Sequence, residues 1–117
     1  MGLDFSIYKE VKCPYCGEVI NKEEVFWVNI THNLNIMAKE AGIYKVLWRP
    51  SETNIFRASE AISILEIGLN KLLSEPEKYK KLNSPNGWGT YKHFVPFVKK
   101  VLEECKDYPD GFIVADI

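Results

Sequence analysis

Arginine is scarce in this chain of 117 residues: thirteen of its fifteen basic residues are lysine, and only Arg49 and Arg57 carry a guanidinium. Two sparingly used arginines are better candidates for a geometric task than any of the lysines, because the planar fork matches carboxylates and phosphates. Positive charge is not in excess either. The formal net charge is −1, which removes the electrostatic footprint of a protein that binds duplex nucleic acid. No apolar run approaches the roughly twenty residues of a membrane span, so no membrane partner is expected. The opening Met1-Gly2-Leu3-Asp4-Phe5-Ser6 has no basic segment leading into an apolar one, so no signal peptide is expected and the chain reads as cytoplasmic. Cysteine is limited to three residues, an odd count that argues for free or metal-bound thiols in a reducing compartment. Internal repeats and low-complexity tracts are missing.

What remains is the composition of an ordered domain, 46% hydrophobic and 13% aromatic, long enough for one core and too short for two. Residues 1–117 therefore read as a single domain. Leu3, Phe5 and Ile7 alternate with Asp4, Ser6 and Tyr8, the period of a half-buried strand over 3–12. A second strand is expected within 24–30, with Phe26, Val28 and Ile30 on one face and Val25 and Trp27 on the other. The turn between them makes an antiparallel hairpin.

Thr31 or Asn33 can cap a helix running to about Glu40. Residues 43–48 continue as a further helical turn or an extended piece, stopped by Arg49-Pro50. The strongest helix spans about 58–73, with Ala58, Ala61, Ile62, Leu65, Leu69 and Leu72 on one face. A short charged helix opens at Glu75-Pro76-Glu77 and runs to about Lys81. Another runs from about Tyr91 to Lys106 with Phe94, Phe97, Val98, Val101, Leu102 and Cys105 as its buried stripe, and Pro96 is expected to kink or weaken it. Residues 108–111 form a turn before a closing strand, 112–115. Strands at both ends with three to four helices between them predict an α+β domain, its helices packed on one face of a small antiparallel sheet.

The stretch Asn83-Ser84-Pro85-Asn86-Gly87-Trp88-Gly89-Thr90-Tyr91 stands out. Gly87 and Gly89 permit backbone angles closed to other residues and allow close approach of a ligand. Thr90 is placed to cap the following helix, whose first amides could hold a phosphate or carboxylate. Trp88, Tyr91 or Trp48 could stack a flat ring, with Arg49 or Arg57 closing on the anion and His32 and Asn33 nearby. This is a candidate site for a small anionic, nucleotide-like ligand. The competing reading is a tight connector that pins Trp88 into the core, with Trp48 and Trp27 packed there too.

Cys13-Pro14-Tyr15-Cys16-Gly17 carries two sharper readings. The first four residues are identical to the active-site motif of many glutaredoxins, but Gly17 and a strand follow where that family opens a helix. The five together resemble the metal-binding turns of rubredoxins and zinc ribbons, where the glycine lets both thiolates converge on one ion. Zinc is the metal such a turn suits, and Cys13 and Cys16 supply two of four ligands. His32, His93 and Cys105, or a second chain in a homo-oligomer, would have to complete the site. The alternative is two reduced thiols in a hairpin turn, with no cofactor. His32 and His93 are also the residues an enzyme would use, yet no acid or nucleophile is tied to either in the sequence, so binding stands ahead of catalysis and no catalytic residue is assigned.

Asn29-Ile30-Thr31-His32-Asn33-Leu34, Ala41-Gly42-Ile43-Tyr44, Leu47-Trp48-Arg49-Pro50 and Asn86-Gly87-Trp88-Gly89-Thr90-Tyr91 together resemble a family of small bacteriophage and prophage proteins. The resemblance spans roughly 28–105. It implies a phage context, in which small proteins often counter host defence by sequestering a nucleotide signal or by binding a host defence protein.

Overall fold

A computed structural model describes residues 2–117. Three strands, β1 (Gly2–Lys12), β2 (Val19–Thr31) and β3 (Phe112–Asp116), form one antiparallel sheet in the order β2-β1-β3. Five helices lie between β2 and β3 in sequence: α1 (Asn35–Glu40), α2 (Tyr44–Trp48), α3 (Ala58–Ser74), α4 (Pro76–Lys80) and α5 (Tyr91–Asp107). The α+β architecture with an N-terminal hairpin and a closing strand is as the sequence predicts. The helix count exceeds the expected three to four because residues 43–48 close into the single turn α2 rather than extending. No helix among the described residues is long and apolar enough to cross a membrane.

The alternation in β1 sets the layering. Leu3, Phe5 and Ile7 are fully buried and pair with Ile30, Val28 and Phe26 of β2, so one face of the hairpin is apolar. Trp27 on β2 and Val114 on β3 belong to the other face and are exposed. Helices α3 and α5 carry the complementary stripe: Ala58, Ala61, Leu65 and Leu72 from the first, and Phe94, Val98, Val101 and Cys105 from the second, are all fully buried. Burial of such side chains stabilises by about 1.5–3 kcal/mol each against exposure. Helix α5 runs through Pro96 without interruption.

The start of α3 is tied to the closing strand. The Glu60 carboxylate accepts from the amides of Arg57 (2.9 Å) and Phe56 (3.2 Å), a charge-assisted N-terminal cap. The amides of Ala58 and Ser59 reach the carbonyls of Gly111 and Pro109.

The hairpin outgrows the core. Strand β2 begins at Val19, five residues before the expected start, and β3 pairs with β1 only from Asp4 to Tyr8. A register shift follows Ile7/Phe26, where Val25 is the extra residue of a bulge and Tyr8 pairs with Glu24. Bulges bend and twist a ribbon. Beyond this one every residue from Val19 to Glu24 is exposed, and the molecule measures 55 × 27 × 23 Å along its principal axes.

Candidate functional site

Between α4 and α5 the chain is folded onto itself by its own amides and short polar side chains. Ser84 donates its amide to the Gly89 carbonyl and Gly87 donates to the Ser84 carbonyl, both at 3.0 Å. The Asn86 carboxamide oxygen accepts from the Trp88 amide at 2.9 Å, an Asx turn. The Asn83 side chain accepts from the Tyr91 amide at 2.7 Å. Gly87 and Gly89 have φ of +76° and +107°, in the region that favours glycine. At Gly89 the fit is also steric, since a β-carbon there would lie 3.1 Å from both the Asn33 and Thr31 side chains.

This mount presents the Trp88 indole outward. The residue is 72% exposed, so the core-pin reading fails. The loop is secured from outside by Asn33, whose carboxamide donates to the Trp88 carbonyl at 2.9 Å. Beside the indole lies a groove of about 310 Å³ walled by Asn29, Thr31, Leu34 and His93.

The expected anion cradle at the start of α5 is largely taken up by the chain itself. Tyr91's amide is taken by Asn83, and the amides of His93 and Phe94 both turn back to the Thr90 carbonyl. Thr90 has the backbone of a cap residue but makes no capping bond. Its hydroxyl pairs with His93 Nδ1 at 2.8 Å instead. Tyr91 does not stack outward, because its hydroxyl donates to the Leu72 carbonyl at 2.7 Å and braces α5 against α3.

The two arginines do not close on the loop. Arg57 donates to the Asp110 carbonyl at 2.7 Å, approaches Glu10 at 3.4 Å and lies over the Phe112 ring. It fastens the start of α3 to the β3 turn. Arg49 pairs with Glu52 at 3.5 Å and, with His32, lines a separate cavity of about 360 Å³. Behind it Trp48 is buried, stacked on Tyr44 at 5.6 Å and donating its indole N–H to His32 Nδ1 at 3.1 Å. An indole nitrogen can only donate, so Nδ1 is the acceptor and Nε2 carries the ring proton of neutral His32. The expected ligand site is thus divided. Trp88, Gly87, Gly89 and Asn33 form one site, His32, Trp48 and Arg49 a second, and Arg57 belongs to neither.

At the hairpin tip, the Cys13 amide donates to the Glu18 carbonyl at 2.7 Å and the Gly17 amide to the Cys13 carbonyl at 2.9 Å. The amides of Cys16 and Tyr15, then the Cys16 thiol, hold the Cys13 thiol below its ordinary pKa by stabilising the thiolate. The four-ligand site completed within one chain is not formed. Cys105 is buried in α5, its thiol pushed up to about 12 by desolvation and then by the Glu104 charge. His32 and His93 are engaged with Trp48 and Thr90. Among the described residues no three His, Cys, Asp or Glu side chains gather into a set that could hold a metal ion.

Sequence reasoning passed over Asn83, Asn86 and Ser84, which build the Trp88 mount. The signal was present in Asn-Ser-Pro-Asn-Gly, since Asn and Ser satisfy turn amides with their own side chains. No protein-family model, no curated protein and no solved structure matches the chain.

Proposed function

We propose that this is a binding protein, not a catalyst, which docks onto a partner protein through Trp88. The observation that carries this reading is a 72% exposed tryptophan on a loop whose backbone is already fixed by Asn33, Asn83, Asn86 and Ser84. Tryptophan is the residue most enriched among interface anchors, and a pre-ordered anchor loses little further entropy on binding. The groove beside it is open and continues onto the polar outer strand β2, which suits a protein surface better than an enclosed small molecule. The resemblance to phage and prophage proteins extends the proposal: the partner is a host defence protein, and the bound state blocks it.

Binding is favoured over reaction by the surroundings of the histidines. His93 meets only the Thr90 hydroxyl and His32 only the Trp48 indole, and no carboxylate orients either ring among the described residues.

A second reading, a small anionic nucleotide-like ligand, moves from the Gly87–Tyr91 loop to the cavity of His32 and Arg49. The Trp48 bond makes Nε2 of His32 a donor, and Arg49 adds a guanidinium to the same wall. Affinity capture from host lysate with the parent and with Trp88→Ala, alongside calorimetry against a nucleotide panel with Arg49→Ala, separates the two. A host protein retained by the parent and lost by Trp88→Ala supports docking. Nucleotide heat that disappears in Arg49→Ala supports the second reading, and neither signal sinks both.

A further inference from the structure

The hairpin tip is a second feature, independent of the Trp88 loop. Its turn holds Cys13 and Cys16 at the end of a ribbon that projects from the body, and Cys16 is exposed while Cys13 is partly so. The turn that carries both thiols is closed by its own backbone, the Cys13 amide on the Glu18 carbonyl and the Gly17 amide on the Cys13 carbonyl, as in a metal-binding knuckle. Gly17, with φ of +77° and open space around it, completes the turn.

Among the described residues this half-site has no completing donors, since His32 and His93 are engaged elsewhere and Cys105 is buried. The geometry points to a tetrahedral zinc site shared by two copies of this chain, each giving Cys13 and Cys16. Four observations favour a second copy as the other half. An identical turn supplies the two missing thiolates in the same geometry. Lys12 and Glu18 flank each turn with opposite charges, so a two-fold arrangement can set each lysine against the partner copy's glutamate. Tyr15, Val19 and Ile20 are 96%, 48% and 65% exposed, an apolar tip that tip-to-tip contact would cover. The projection of the ribbon also lets two tips meet without the bodies colliding.

The chemistry balances without a redox partner. Four thiols release four protons to solvent, four sulfur–zinc bonds form, and the tetrathiolate complex is doubly negative.

The test uses the full chain under a phosphine reductant, titrated with zinc and followed by light scattering and metal analysis. The expected result is a doubling of mass at one zinc per two chains, reversed by chelator, with cobalt(II) giving the intense visible bands of a tetrahedral thiolate site. Cys13→Ser and Cys16→Ser should each abolish both metal uptake and the mass change. Their metal-free melting temperature should match the parent's, because the tip is outside the core. A monomer that binds zinc, a dimer indifferent to chelator or to either substitution, or a reduced protein that takes up no zinc at micromolar concentration would each overturn the proposal.

Discussion

Asn33 and Trp88, 55 residues apart in sequence, are joined by a 2.9 Å hydrogen bond from the asparagine carboxamide to the tryptophan carbonyl. The bond ties the loop before α5 to the turn that follows β2, and so fixes where the indole points. Asn33→Ala removes the tie while leaving the indole in place. One such bond is worth about 0.5–1.5 kcal/mol, so partner affinity should fall by up to about 10-fold and the melting temperature by about 2–6 °C. An unchanged dissociation constant would mean the loop holds its shape without Asn33.

Trp88→Ala should separate binding from folding. Truncation of an exposed side chain shifts stability by no more than about 0.5 kcal/mol. Loss of a central aromatic anchor weakens a protein interface by about 2–4 kcal/mol, roughly 30- to 1000-fold. Surface plasmon resonance against the captured partner, beside thermal melting, gives both numbers. A variant that melts far below the parent yet binds normally would return Trp88 to a structural role.

His32→Ala removes the acceptor of a buried indole N–H. The unpaired donor should reduce stability by about 1–2 kcal/mol, a drop of about 4–8 °C in melting temperature. Tryptophan fluorescence should also shift as the surroundings of Trp48 loosen. Retention of the parent melting temperature would show that the Trp48–His32 bond contributes nothing net.

Acid should weaken the protein partly through Glu60. The amides of Arg57 and Phe56, and then the Arg57 charge, hold its carboxyl below the ordinary pKa. A depressed folded pKa contributes stability that is complete above the unfolded value and fades as pH falls through the folded one. Glu60→Gln keeps an acceptor for the cap but cannot titrate, so its stability should fall less steeply than the parent's between about pH 6 and about pH 3. Parallel curves in chemical denaturation across that range would remove Glu60 from the acid response.

Most of the fold was legible because its core residues repeat with clean periods. Leu3, Phe5 and Ile7 announce β1, and the Phe94–Cys105 stripe announces α5. The start of β2 was hidden because Asn21, Lys22, Glu23 and Glu24 show no apolar alternation, the ribbon there having no buried face. The bulge at Val25 breaks the period further. The site was half legible. Glycines around a tryptophan mark a constrained loop, but the same pattern serves a buried ring and a presented one. Arg57 could not be placed without the pairing of β3 with β1, which brings Glu10 and Asp110 to it. The Trp48–His32 bond spans sixteen residues, from the turn after β2 to the end of α2, and no local pattern marks it.

Because β3 stops pairing at Tyr8, the chain contains two parts that need not melt together. Up to that residue β1 has a neighbour on either side and a helical layer on one face. Past it the two strands pair only with each other, tied to the body by the Glu10–Arg57 contact and by Lys22 over the Phe112 ring, and such a ribbon has little stability of its own. Length and composition at the tip can therefore drift over generations without disturbing the half of the molecule that carries Trp88. The hairpin is free to acquire or lose a role as an appendage, while the body remains answerable to packing.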